Sequence, residues 1–206
     1  PFGATLAKWE RGVPVECGPN WSRQAILLAI ERGPHISAKA PEAKEVIMED
    51  IAYQVDTGFS EVIYWDDIKD RIPPHLKISP LAFIPQLNRR GRLILDLSFA
   101  VHRMMGKRLG PQVQKAVNET TTKLSPLEPL SELGHVLPRL LDFMADTPEE
   151  DVIMFAKIDL SDGFWRMIVT ENDAWHFAYV LPDPPGHPVR LVIPHALQMG
   201  WTESPG

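Results

Sequence analysis

The chain has 206 residues, 44% apolar and 23% charged, a balance that suits a folded core and excludes a disordered or low-complexity tail. Its 20 prolines, spread along the length, exclude a helical bundle. A single cysteine, Cys17, excludes an internal disulfide framework or a cysteine-rich zinc site, and the longest apolar run, Ala25 to Ile30, is far too short to span a bilayer.

In chain order, Ser22 to Arg32 reads as a helix capped by Asn20 or Ser22 and stopped by Gly33-Pro34. A second helix is predicted over Pro41 to Gln54: proline suits its first turn, Glu42 and Glu45 complement the dipole, and Val46, Ile47 and Ile51 share a face. Residues 67–80 are too rich in proline for regular structure. The period then changes to two. Leu81 to Leu87 and Arg92 to Ser98 are strand-like, and the connector Asn88-Arg-Arg-Gly91 reads as a hairpin loop with Pro85 on an edge strand. A short helix is expected over Pro138 to Ala145, and a central strand over Val152 to Leu160. A second hairpin is expected from His176 to Pro194, turning on Pro-Asp-Pro-Pro-Gly. Strands and helices mix without βαβ alternation, so the expected class is α+β.

The net charge of −6 conceals alternating zones. Residues 41–70 hold nine acids and two bases, 71–108 hold eight bases and one acid, and 119–151 hold eight acids and two bases. The basic island either meets a phosphate backbone or pairs with the acidic zones; charge alone favours pairing. No phosphate-binding glycine loop, zinc-protease helix or nucleophile elbow is present. The seven histidines are scattered singly along the sequence and are read as surface or satisfied residues. The informative stretch is Ile158-Asp159-Leu-Ser-Asp162-Gly-Phe164. A strand ending in Asp159 delivers a carboxylate to a sheet edge, and a helical continuation puts Asp162 on the same side. Magnesium needs only one or two such carboxylates, but spacing alone favours a helix cap and a turn residue, because Asp-x-x-Asp is common. Near the far end, Ser204-Pro205 looks like a helix start after the glycine at Gly200.

Taken in order, these segments resemble the reverse transcriptase domain of retroelements. Arg92-Leu-Ile-Leu-Asp96 is similar to the fingers motif, Phe155 to Phe164 to the palm motif bearing the first catalytic aspartate, and Gln198 to Pro205 to the following glycine and Ser-Pro motif. The resemblance covers residues 60–206, with 1–60 as a helical lead-in. It implies fingers and the first part of the palm of a polymerase right hand, ending before the Tyr-x-Asp-Asp motif and so belonging to something longer. The implied activity is RNA-directed DNA polymerisation, with a primed RNA or DNA template and deoxynucleoside triphosphates as partners, two Mg²⁺ ions as cofactors, and an intracellular location, cytoplasmic or nuclear, away from membranes. Asp159 then binds both metals and the Leu160 carbonyl one of them. The backbone of Asp162 and Gly163 holds the triphosphate, Phe164 lies under the sugar and rejects a 2′-hydroxyl, and Arg92 lies over the phosphates with Arg90 or Arg89 as a second cation. Met199 and Gly200 pack near the nucleotide, and Pro205 near the template. Ser98 and Met199 depart from the family's usual residues. The alternatives are an RNA-directed RNA polymerase palm, a domesticated remnant that binds nucleic acid or a partner without catalysis, and an unrelated α+β interaction domain.

Overall fold

The computed structural model describes residues 10–100, 115–124, 135–156 and 161–204. Helix α1, Arg23–Arg32, begins where the Ser22 hydroxyl accepts a hydrogen bond from the Ala25 N–H at 3.2 Å. It ends at Gly33, whose φ of 65° disfavours any residue carrying a Cβ. Helix α2, Pro41–Asp56, runs two residues beyond the predicted end, and Ala43, Ile47 and Ile51 form its buried stripe. Strand β1, Ser60–Tyr64, and the single turn α3, Trp65–Ile68, follow it. The proline-rich stretch to residue 80 is irregular, as its composition predicts, yet Leu76, Lys77 and Ile78 within it are buried.

The main sheet has three antiparallel strands in the order β1-β5-β4. Strand β5, Arg190–Pro194, is central; Ser60 lies opposite Pro194 on one side, and Tyr179 of β4, Tyr179–Val180, opposite Val192 on the other. Leu191, Val192 and Ile193 are covered on both faces, which explains why this strand reads as an unbroken apolar run. The second hairpin is shorter than the sequence predicts. His176 and Phe177, expected as strand, instead close the 3₁₀ turn Asp173–Phe177, and only Tyr179 and Val180 join the ladder. One hydrophobic core gathers Val15, Ala25, Ile47, Leu76, Val192 and Trp201, so residues before and after position 60 pack together.

The first hairpin forms, with β2 at Leu81–Gln86 and β3 at Arg89–Leu95, but its turn sits earlier than expected. Leu87 and Asn88 make the turn, Asn88 supplying the positive φ of 56° that short hairpin loops need. Gly91 lies inside β3, and a Cβ there would stand 2.1 Å from the Phe83 ring: the glycine is needed for ring packing across the strands, not for a loop. Pro85 falls where the register shifts between Ile84 and Gln86, a place where a missing N–H costs no ladder bond. The free edge of β2 is occupied: His35 N–H donates to the Leu81 carbonyl at 2.9 Å and Phe83 N–H to the Ser37 hydroxyl at 3.0 Å.

Two shorter helices complete the described elements, α4 at Val117–Thr120 and α5 at Val136–Asp146. The latter contains the predicted 138–145 helix, but none of its residues is buried. The central strand expected over 152–160 is absent from its described part. Val152 is 87% exposed and Met154 88%, and residues 152–156 adopt no regular structure. A strand exists only when a neighbour completes its hydrogen bonds, and no described strand lies beside this segment. Among the described residues no helix is long and apolar enough to cross a membrane.

Candidate functional site

Of the residues singled out from sequence, Asp159, Leu160 and Pro205 lie outside the described residues. The others fall into three groups. The first is the basic hairpin. Arg90 reaches back to α2, where it meets Asp50 at 2.5 Å and Glu49 at 3.1 Å, and it also donates to the Val46 carbonyl at 3.4 Å. Burial raises the Asp50 carboxyl and Arg90 opposes that rise. Basic and acidic zones therefore do pair here, as charge alone favours. Arg89 and Arg92 are exposed on β3 and make no ion pair among the described residues, so the charge left available to a phosphate is theirs.

The second group is the turn of residues 161–167. Asp162 adopts φ 56°, which no right-handed helix permits, so the expected helical continuation does not occur. Its carbonyl accepts from Arg166 N–H at 3.1 Å, and its carboxylate accepts from the Tyr53 hydroxyl of α2 at 3.0 Å, raising the pKa of that hydroxyl. Trp165 stacks on Phe59 with centroids 6.3 Å apart, and Phe59 meets Tyr53 edge-on at 6.4 Å. These rings hold the turn against the end of α2, and Gly163 and Phe164 lie half-buried within it.

The third group joins segments far apart in sequence. After β3 the chain turns on Asp96, whose carboxylate accepts from Ser98 N–H at 3.1 Å. Asn118 of α4 donates to the Ser98 hydroxyl at 3.0 Å and to the Gly200 carbonyl at 2.9 Å, and accepts from Thr202 N–H at 3.2 Å. The end of the fingers-like motif and the 198–204 segment thus meet through one side chain. Gly200 has φ 96°, a conformation glycine alone adopts cheaply, while a Cβ there would meet the Leu95 carbonyl oxygen at an ordinary contact distance of 4.0 Å. Met199 is exposed beside it, and Trp201 is anchored below by its indole N–H to Thr121 at 2.9 Å and by an edge contact with Phe177 at 5.6 Å. Ser204 does not cap a helix in the described residues; its hydroxyl donates to the Gln198 carbonyl at 2.7 Å.

Sequence reasoning missed Asn118, which carries no periodic or motif signal, and Arg32. The Arg32 guanidinium lies 4.4 Å over the Phe99 ring with both terminal nitrogens buried and, among the described residues, without hydrogen-bond partners. Burial pushes it down to about 10, and Asp96 counteracts this. The reading of the histidines as isolated also needs correction: His75 and His176 converge on Asp173. The Asp173-x-x-His176 spacing was a legible signal for two of its three residues. Compared with known proteins, the chain matches no family model and no curated protein.

Proposed function

We propose that this chain is the fingers and early palm of an RNA-directed DNA polymerase of the retroelement type. The observation that carries the reading is the Asn118 junction. Two motifs a hundred residues apart, each weak alone, are drawn to one place, and the exposed Arg92 lies on the strand that leads into it. In this reading Arg92 binds triphosphate oxygens, for which a planar guanidinium fork is suited, and Phe164 limits the space beneath the sugar. Asp159 and the Leu160 carbonyl would hold magnesium, which would supply charge stabilisation for the primer 3′-oxygen and the leaving pyrophosphate. Arg90, committed to Glu49 and Asp50, contributes to the hairpin's seat on α2 rather than to nucleotide binding.

The test is primer extension on an RNA template by the complete reading frame that contains this chain. Extension that disappears in Asp159→Asn supports the proposal. So does Phe164→Ala if it admits ribonucleotides while retaining some deoxynucleotide use. No extension overturns it and leaves the domesticated, non-catalytic remnant; extension indifferent to Asp159→Asn overturns the assignment of the catalytic carboxylate and of the palm motif that carries it.

A further inference from the structure

We propose that His75, Asp173 and His176 form a zinc site that ties the irregular 69–80 segment to the turn preceding β4, independently of any polymerase activity. One donor atom from each residue lies within 4.8 Å of the other two. The His75 Nδ1 is 3.3 Å from the Asp173 Oδ1, and the His176 Nδ1 is 3.8 Å from the same oxygen. Zinc bonds of about 2.0–2.1 Å at tetrahedral angles place neighbouring donors about 3.3–3.5 Å apart, so the cluster is at or near ligating separation.

The hydrogen bonding points the same way. Both Nδ1 atoms are buried, yet neither has a hydrogen-bond partner among the described residues. An ordinary histidine–carboxylate pair would aim an N–H at the oxygen; His75 does not, although the oxygen is within reach at 3.3 Å, and His176 stands just beyond reach at 3.8 Å. His176 is only 3% exposed, so water does not readily satisfy its nitrogen. The carboxylate, in contrast, is firmly oriented. Its Oδ2 accepts from Val15 N–H at 3.0 Å and from the Thr170 hydroxyl at 2.5 Å, which leaves Oδ1 to face the two imidazoles. Such outer hydrogen bonds are the usual means of fixing a ligating carboxylate. The donor set, two imidazoles and one carboxylate, suits zinc and is poor for magnesium or calcium, which take oxygen ligands. Lys77 is the opposing charge near His176, and its ammonium is committed to the Cys17 carbonyl and the Thr120 hydroxyl. His75 is 41% exposed, so the fourth coordination position is within reach of solvent water.

The experiment uses tag-free chain stripped with chelator and titrated with zinc chloride against a competing chelator. One equivalent should bind, with Tm rising by roughly 5–10 °C at a hundredfold excess over Kd. His75→Ala should weaken binding about a hundredfold or more, while His187→Ala, in the exposed 184–188 stretch, should bind as the parent does. Histidine-selective nitrogen NMR of the unmodified chain provides a readout that does not depend on any variant folding: zinc should move the His75 and His176 ring resonances and leave those of His35, His187 and His195 in place. Absence of stoichiometric binding overturns the proposal. So does equal binding by His75→Ala, or a resonance shift spread over the other histidines.

Discussion

Lys77 is 1% exposed, and among the described residues its ammonium has two acceptors, the Cys17 carbonyl and, at 3.4 Å, the Thr120 hydroxyl. Burial pushes it down to about 8, with Cys17 a smaller opposing influence. Tenfold in a proton equilibrium is worth about 1.4 kcal/mol, so holding this lysine charged at neutral pH costs the fold roughly 3 kcal/mol. Replacement by methionine removes that cost and keeps most of the volume. It also strands no acceptor, because the Cys17 carbonyl still receives the Thr120 hydroxyl at 2.9 Å. Against the gain stand two lost hydrogen bonds, together worth about 1–3 kcal/mol. Lys77→Met should therefore be neutral to about 2 kcal/mol more stable at pH 7. The pH dependence is the sharper signature. Between about pH 8 and 10.5 the unfolded chain still binds the proton that the folded chain has lost, so the parent gains stability as pH rises through that window. The variant lacks this gain, and its advantage should shrink by up to about 1.4 kcal/mol per pH unit and vanish or reverse near pH 10. Urea unfolding of both proteins at pH 7, 8, 9 and 10 measures the difference directly. A variant less stable by more than about 1 kcal/mol at pH 7, or a difference that does not change with pH, would refute the reasoning.

Gly91→Ala should lower stability by about 1–3 kcal/mol through its clash with the Phe83 ring, and Phe83→Leu in the same chain should recover much of the loss; a thermal double-mutant cycle reads both. Asn118→Ala should cost about 1–3 kcal/mol and speed proteolysis at residues 198–204, since it breaks three hydrogen bonds that join α4 to two segments; limited proteolysis with mass mapping checks the site of cutting. His176, pushed down to about 3 chiefly by burial and then by Lys77, is neutral in the fold while its unfolded counterpart titrates near 6.5. In chelator, the stability it contributes is complete above about pH 6.5 and is lost as pH falls toward 3, by up to about 1.4 kcal/mol per unit; denaturant midpoints flat from pH 7 to 4 would contradict this.

Where periodicity and capping act over neighbouring residues, the sequence was a reliable guide. Ser22, Gly33 and Pro41 place both helix boundaries within a residue or two, because caps and proline act through local backbone chemistry. The first hairpin was legible by its alternation, but Gly91 misled: a glycine in a strand and a glycine in a turn look alike until the facing residue, Phe83, is known. Residues 152–156 are apolar enough for a core strand, yet strandedness is conferred by a partner, and sequence names none. β1 was missed for the same reason, since its partner lies at 190–194. At the candidate site, Arg92 and Gly200 were identifiable by type and spacing. The Asn118 junction, the diversion of Arg90 to α2 and the approach of His75 to Asp173 and His176 were not, because each depends on contacts between distant segments.

The pairing of β1 with β5 sets the order in which this chain can mature on the ribosome. Ser60 faces Pro194, so the early strand emerges with no hydrogen-bonding partner in its own vicinity. Synthesis at roughly 5–20 residues per second leaves it waiting on the order of ten seconds for the strand that covers it. During that interval α1, α2 and the β2-β3 hairpin can form from local contacts, while β1 offers an open edge to any other extended chain. Codon usage that slows translation between residues 64 and 190 should therefore raise aggregation of the nascent protein, and chaperones that shield extended apolar segments should lower it.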